Sequence, residues 1–141
     1  MSVEVVEYDD AWPARFTAEA DQIRAALGSQ LRKIEHVGST SVPGLAAKPI
    51  IDIALSVETL DIEAVQALRY RHVGEWRFSK PGYDLYAYEQ EDEEFLDHVR
   101  FRDYLRTHDE DREVYGALKL GDDEDAKDAF VARLVSMLRR G

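Results

Sequence analysis

A chain of 141 residues, 45% hydrophobic and 10% aromatic, can bury a real core and is not a disordered tail, yet it is too short to make two domains comfortably; one domain spanning 1–141 is expected. Twenty-nine acidic residues against eighteen basic ones give a formal charge of −11, which repels phosphate backbones and anionic lipid at long range and argues against a nucleic-acid polymer or a membrane as partner. The absence of cysteine removes disulfides, thiolate nucleophiles and Cys-type zinc sites, and an opening with neither a basic n-region nor an apolar run near the ~20 residues of a membrane span fits a cytoplasmic protein.

Along the chain, Trp12, Phe16, Ala20, Ile23 and Leu27 recur every three or four residues, with Pro13 near the start and Gly28 just past the end. That spacing predicts an amphipathic helix with its start and stop signals. Leu31–Val37 reads as a strand, followed by a loop punctuated by glycine and proline from Gly38 to Pro49. The run Ile50–Val57 is apolar except for Asp52, as suits a strand covered on both faces.

A second helix is expected from Asp61, its cap, with Ile62, Val65 and Leu68 on one face. Glu75–Lys80 and Tyr83–Glu89 flank Pro81-Gly82 and read as a hairpin. Tyr83, Tyr86 and Tyr88 on its second arm pack the sheet, or one of them stacks a nucleobase. The acid-rich stretches Glu89–Glu94 and Gly121–Asp125 read as exposed loops. Helical spacing from Asp92 to Arg140 predicts two or three closing helices. The fold class is therefore α/β or α+β, a small mixed sheet with helices packed on it.

The stretch from His36 to Asp52 carries the chemistry. Glycine at 38 permits backbone torsions that let successive amides converge on an oxyanion, and the hydroxyls of Ser39, Thr40 and Ser41 add donors; a phosphate suits such a loop, although a helix-capping turn has the same composition. Lys48 is either a charge for the same phosphate or a solvated loop residue. An unpaired carboxylate at Asp52, among apolar neighbours, is costly unless it meets a cation, donors or open water, and holding Mg²⁺ against phosphate oxygens meets that demand. His36 either orients a phosphate or is a hydrogen-bonded structural residue. Arg102 and Arg106, one helical turn apart, either clamp an anion or pair with Asp103 or Glu110. The four histidines show no close metal-ligand spacing, and no Ser-His-Asp order can be assembled.

The whole string His-Val-Gly-Ser-Thr-Ser-Val-Pro-Gly-Leu-Ala-Ala-Lys-Pro-Ile-Ile-Asp over 36–52 closely resembles the signature of the GrpB family. Tyr8-Asp9-Asp10-Ala11-Trp12-Pro13 is similar to that family's opening, Phe101–Arg106 to its second motif and Glu113–Lys119 to the segment after it. The resemblance implies a nucleotidyltransferase-like fold, with Gly38, Ser39 and Asp52 where active relatives bind triphosphate and metal. It supplies no substrate, since the family occurs alone or fused to an enzyme of coenzyme A synthesis, with poorly defined activity.

Two departures stand out. Active transferases place a second acid two residues after the first; here that position is Ala54, which leaves Asp84 on the later strand as the candidate second metal ligand. The family's His-x-His pair corresponds to Asp84-Leu85-Tyr86. The expected function is accordingly Mg-dependent nucleotidyl transfer from a nucleotide to a small-molecule acceptor. The alternatives are a non-catalytic module that binds a nucleotide or other phosphate, and an acidic protein-interaction domain.

Overall fold

The apolar run after Pro49 becomes β2 (Ile51–Val57), a strand with neighbours on both sides of a five-stranded sheet. In this computed structural model, which describes residues 4–141, the element order is α1 (Trp12–Leu27), β1 (Leu31–Val37), β2, α2 (Ile62–Gln66), β3 (Arg71–His72), β4 (Arg77–Lys80), β5 (Tyr83–Glu89), α3 (Glu93–Thr107), α4 (Asp109–Leu120) and α5 (Glu124–Arg139). The strands lie in the order β1-β2-β5-β4-β3. Strands β2 and β5 are parallel and the other pairs antiparallel, so the sheet is mixed and the fold α+β.

Successive side chains of a strand point to opposite faces. One face of the sheet carries Ile51, Ile53, Leu55 and Val57 of β2 with Leu85 and Ala87 of β5, packed against Trp12, Ile23 and Leu27 of α1 and Val65 of α2. On the other face Val37, Ala54 and Tyr88 lie under Phe95 of α3. A smaller cluster of Val42, Leu45, Leu105, Phe130 and Leu134 ties the loop after β1 to α3 and α5. Burial of each such large side chain contributes roughly 1.5–3 kcal/mol.

Start and stop signals act as expected at α1, where Pro13 sits in the first turn and Gly28 ends the helix with its amide on the Arg24 carbonyl. Asp61 caps α2 by accepting from the Ala64 amide at 3.1 Å. The Pro81-Gly82 turn, with Gly82 at φ 84°, is a type II turn that requires glycine at its second central position.

Several expectations shift. The acidic stretches are not simply loops: Asp92 and Asp123 cap α3 and α5, and Glu93, Glu94, Glu124 and Asp125 fill their first turns. Free amides and the positive end of the helix dipole favour carboxylates there. The hairpin's first arm begins at Arg77 rather than Glu75, and the edge strand β3, only two residues long, carries too little periodicity to be read in advance. Tyr83 faces α1, opposite to Tyr86 and Tyr88, because they follow it by three and five positions, odd steps along a strand. Among the described residues no helix is long and apolar enough to cross a membrane.

The position where a second strand acid was sought is a core position. Ala54 is fully buried, as are Phe95 and Tyr88 beside it, so an acid there would be sealed beneath α3. Ala54→Asp is expected to lower unfolding stability by about 3 kcal/mol or more, read by urea denaturation. A near-neutral change would show that α3 does not cover this position.

Candidate active site

Asp52 lies on the α3 side of the sheet at the first turn of β2, where helical cover gives way to a cleft of about 510 Å³. It is paired in register with Val37 of β1, one residue before Gly38. A Cβ built on Gly38 would fall 2.2 Å from the Asp52 Oδ2 and 2.9 Å from its Cγ. The carboxylate thus passes directly over the bare Cα. Gly38 also adopts φ 72°, a conformation in which a side chain is strained. Glycine is required here twice over, and the first reason is the carboxylate.

From Gly38 the chain enters a 3₁₀ turn at Ser39–Ser41, closed by the Ser41 amide on the Gly38 carbonyl and the Val42 amide on the Ser39 carbonyl. The Ser41 hydroxyl also donates to the Gly38 carbonyl. Thr40 Oγ1 shares a 2.9 Å hydrogen bond with His36 Nε2. Both hydroxyls therefore hold the turn in shape. Ser39 and Thr40 line the cleft, and the first amides of a helical turn have no partner within it.

The second carboxylate comes from β5. Asp84 is the in-register neighbour of Asp52 across the parallel β2–β5 pair, so both side chains rise from the same face about 5 Å apart at the backbone. Both line the cleft. Arg77 reaches Asp84 Oδ2 at 3.2 Å and lies over the Tyr86 ring, 5.7 Å from its centroid. Among the described residues, no group of three or more histidines and acids is placed to hold a metal ion.

Electrostatics in the cleft differ from those of the chain. Lys48, Arg77, Lys119 and Lys127 line it against Asp52, Asp84 and Glu124, four cations to three carboxylates in a protein of charge −11. Burial, and then the charge of Asp84, push the Asp52 carboxyl up to about 7, with Lys119 and Arg77 partly offsetting them. Burial pulls the half-buried Lys119 down to about 8, against the attraction of Asp52. Tyr86, also on the cleft wall, is pushed up to about 12 by burial and by Asp52.

The sequence-derived candidates separate accordingly. Ser39, Thr40, Lys48, Asp52 and Asp84 converge on the cleft, whereas Gly38 supports Asp52 from behind and Ser41 serves the turn. His36 pairs with Ile53 and so faces α1, stacked on Phe16 with ring centroids 4.8 Å apart. Burial, helped by Arg106 and Arg102, pulls it down to about 4, leaving a neutral structural imidazole. Arg102 is buried on α3, donating to Glu35, to the His36 carbonyl and to Asp103. Arg106 donates to the Ser41 carbonyl at 3.0 Å. These arginines fasten β1 and the turn to α3 and do not line the cleft. Sequence reasoning missed Lys119, Arg77 and Lys127; Lys119 closes the Glu113–Lys119 motif and was detectable there, while Arg77 needed the hairpin register.

The family model described as GrpB protein matches residues 2–132. The chain belongs to the GrpB family. UPF0157 protein BH1888 of Halalkalibacterium halodurans is 42% identical over 132 residues, spanning 84% of this chain and 68% of that protein. The crystal structure of conserved protein GrpB from Enterococcus faecalis superposes with a TM-score of 0.82 at 33% identity, covering 96% of this chain and 97% of that one. A 61-residue segment, 41% of this chain, is 39% identical to 15% of a protein named dephospho-CoA kinase from Mycolicibacterium paratuberculosis. GrpB membership accounts for the 36–52 signature, and in this GrpB chain the signature's glycine and aspartate meet in one contact.

Two consequences can be measured. Gly38→Ala is expected to cost at least about 2 kcal/mol in denaturant unfolding, since Asp52 or the turn must move; an unchanged midpoint would mean the contact is not tight. For Asp52, the native carboxyl holds its proton to about 7, while the unfolded one releases it near 4. Its contribution to stability therefore falls as pH rises through that window and is lost above about 7. His36, lowered to about 4, acts oppositely and loses stability as pH falls from about 6.5, so the wild-type profile mixes the two. Asp52→Asn isolates the first: its Tm should exceed wild type by roughly ten degrees at pH 8, with the gap narrowing as pH falls and closing only near pH 4. A lower Tm at pH 8 would contradict the assignment.

Proposed function

We propose that the cleft binds a nucleoside triphosphate and transfers its nucleotidyl group to a small hydroxyl-bearing acceptor. The supporting observation is the register pairing of Asp52 with Asp84 at the mouth of a cleft otherwise rich in cations. Two carboxylates close together on a rigid sheet, opposite Ser39 and Lys119, suit a polyphosphate that arrives with its own cation. Magnesium is commonly held by one or two carboxylates plus phosphate oxygens and water, so Asp52 and Asp84 fit it even without a third protein ligand. Bound there, Mg²⁺ would neutralise charge on the phosphates.

The chain's own groups then have separate tasks. Ser39, with the free amides of its turn, holds the terminal phosphates. Lys48, Lys119 and Lys127 balance charge on the departing pyrophosphate. The acceptor's hydroxyl oxygen attacks the α-phosphorus as the bond from that phosphorus to the bridging oxygen breaks. Pyrophosphate leaves with the electron pair, and the hydroxyl proton passes to the Asp84 carboxylate. Held in line, the reactants gain chiefly from orientation and fixed charge.

One observation favours a second reading. Arg77 already pairs with Asp84, and Ala54 offers no replacement acid, which suits a module that binds a phosphate ligand without turning it over. The partial match to a protein named dephospho-CoA kinase places dephospho-coenzyme A among the ligands to try beside nucleotides.

A thermal-shift screen of nucleoside triphosphates and dephospho-coenzyme A, with and without Mg²⁺, separates these readings when combined with an assay of released pyrophosphate. Transfer predicts a Mg²⁺-dependent rise in Tm. At a ligand excess of 100 times Kd the stabilisation is about 2.7 kcal/mol, or several degrees. Asp52→Ala and Lys119→Met should each lose most of that rise relative to their own ligand-free Tm. Stabilisation without Mg²⁺ dependence and without pyrophosphate would establish the binding-only reading, and no shift with any ligand would defeat both.

A further inference from the structure

The register of the sheet extends the polar line beyond the two aspartates. Asp52 pairs with Asp84, Asp84 with Ser79, and Ser79 with Arg71. In-register neighbours project on the same face, so Asp52, Asp84, Ser79 and Arg71 form one row across β2, β5, β4 and β3. The row does not end in the first cleft. Asp84, Ser79 and Arg71 also line a second cleft of about 520 Å³, which shares Ile50 and Asp84 with the first. Asp84 is therefore common to two adjoining spaces, one rich in phosphate-binding groups and one open towards the β3 edge.

The charges of this second space are unevenly committed. Lys80 is occupied by Glu19, 2.6 Å away on α1, and by the Leu68 carbonyl. Neither Arg69 nor Arg71, both lining the cleft, forms an ion pair among the described residues, although acids outnumber bases throughout the chain. Arg69 also has φ 76°, a backbone state that disfavours any residue with a side chain by roughly 1 kcal/mol. Two uncommitted guanidinium groups beside a carboxylate-bearing row match an oxyanion that presents two oxygens together, a carboxylate or a phosphate, which arginine binds through paired N–H donors.

Resting on the transfer reading above, we infer that the second cleft is the acceptor's subsite, and that the acceptor is a small molecule with a hydroxyl at Asp84 and a carboxylate or phosphate held by Arg69 and Arg71. Arg71 stands two strand spacings from Asp84, about 10 Å between backbones. The reach of its side chain shortens that gap, so the hydroxyl and the anion belong at opposite ends of a compact molecule. The divided space explains how two anionic substrates meet in an acidic protein: each has its own cations, and Asp84 faces both.

Amide-resolved NMR titration tests this with two probes, inorganic phosphate and malonate, each added with and without saturating non-hydrolysable ATP analogue and Mg²⁺. Saturable shifts at Arg69, Arg71 and Ser79 are expected, persisting when the analogue is present. Arg71→Gln, on an exposed side chain, should weaken them at least about tenfold, whereas Lys119→Met in the first cleft should leave them unchanged. The stronger probe identifies the acceptor's anion as phosphate or carboxylate. Shifts confined to the Lys119 region, shifts that do not saturate, insensitivity to Arg71→Gln, or no shift at all would overturn the subsite. If the analogue fails to bind but the Arg71-dependent shifts appear, the anion site stands and the transfer reading falls.

Discussion

A carboxylate resting on a bare Cα organises this molecule's cleft. Asp52 occupies the space where any other residue at 38 would carry its Cβ, and the positive φ of Gly38 turns the chain from β1 into the Ser39–Ser41 turn. One contact thus sets the position of the acid, the direction of the loop and the hydroxyls beside it. The remaining supports converge on the same corner: His36 steadies Thr40, Arg102 holds the His36 carbonyl, and Arg106 holds that of Ser41. None of these residues needs to touch a ligand to matter to one. Side chains tied to the backbone by hydrogen bonds in this way help to keep a site within the small tolerances that binding and catalysis require.

Asp52 pays for its place in the fold through its ionisation, since burial and Asp84 both oppose its charge. A cation beside it would relieve that cost, and Lys119 offsets only part of it, less than burial and Asp84 impose. The carboxyl, raised to about 7, and the ammonium, lowered to about 8, are brought close to one another in proton affinity. Such balance is common where a site trades stability for function.

How much of this was legible in the sequence follows from which interactions are local. The elements α1, β1, β2 and the hairpin were readable because periodicity, proline and glycine act within a few residues. Asp52 stood out because a charge in an apolar run demands an explanation. Asp84 could be offered only weakly, since its pairing with Asp52 depends on a register between strands separated by α2, β3 and β4. Register also sets His36 away from the cleft, and ion pairing on α3 does the same for Arg102. His36 falls on the α1 face because Val37, not His36, lies opposite Asp52. Arg102 is consumed by Glu35 of a strand distant in sequence. Lys119 was passed over because the spacing of α4 does not reveal that this helix lines the cleft. Ala54 looked like a missing acid and is instead the floor beneath Phe95.

The four cations of the cleft, gathered in a chain of charge −11, would also shape the approach of any anion to it. An anion approaching the molecule is repelled at long range, and the cations gathered in the cleft offset that repulsion only close to the opening. Salt acts on the two parts of that field differently. The long-range repulsion of the whole molecule fades beyond the Debye length of about 8 Å at physiological ionic strength, whereas the close attraction inside a recessed cleft is screened less. For an anion that binds in the cleft, moderate salt would therefore speed association while loosening the bound state little, the reverse of the dependence expected for a broadly basic surface. An acidic exterior around a cationic recess would thus make anion capture faster where ions are plentiful.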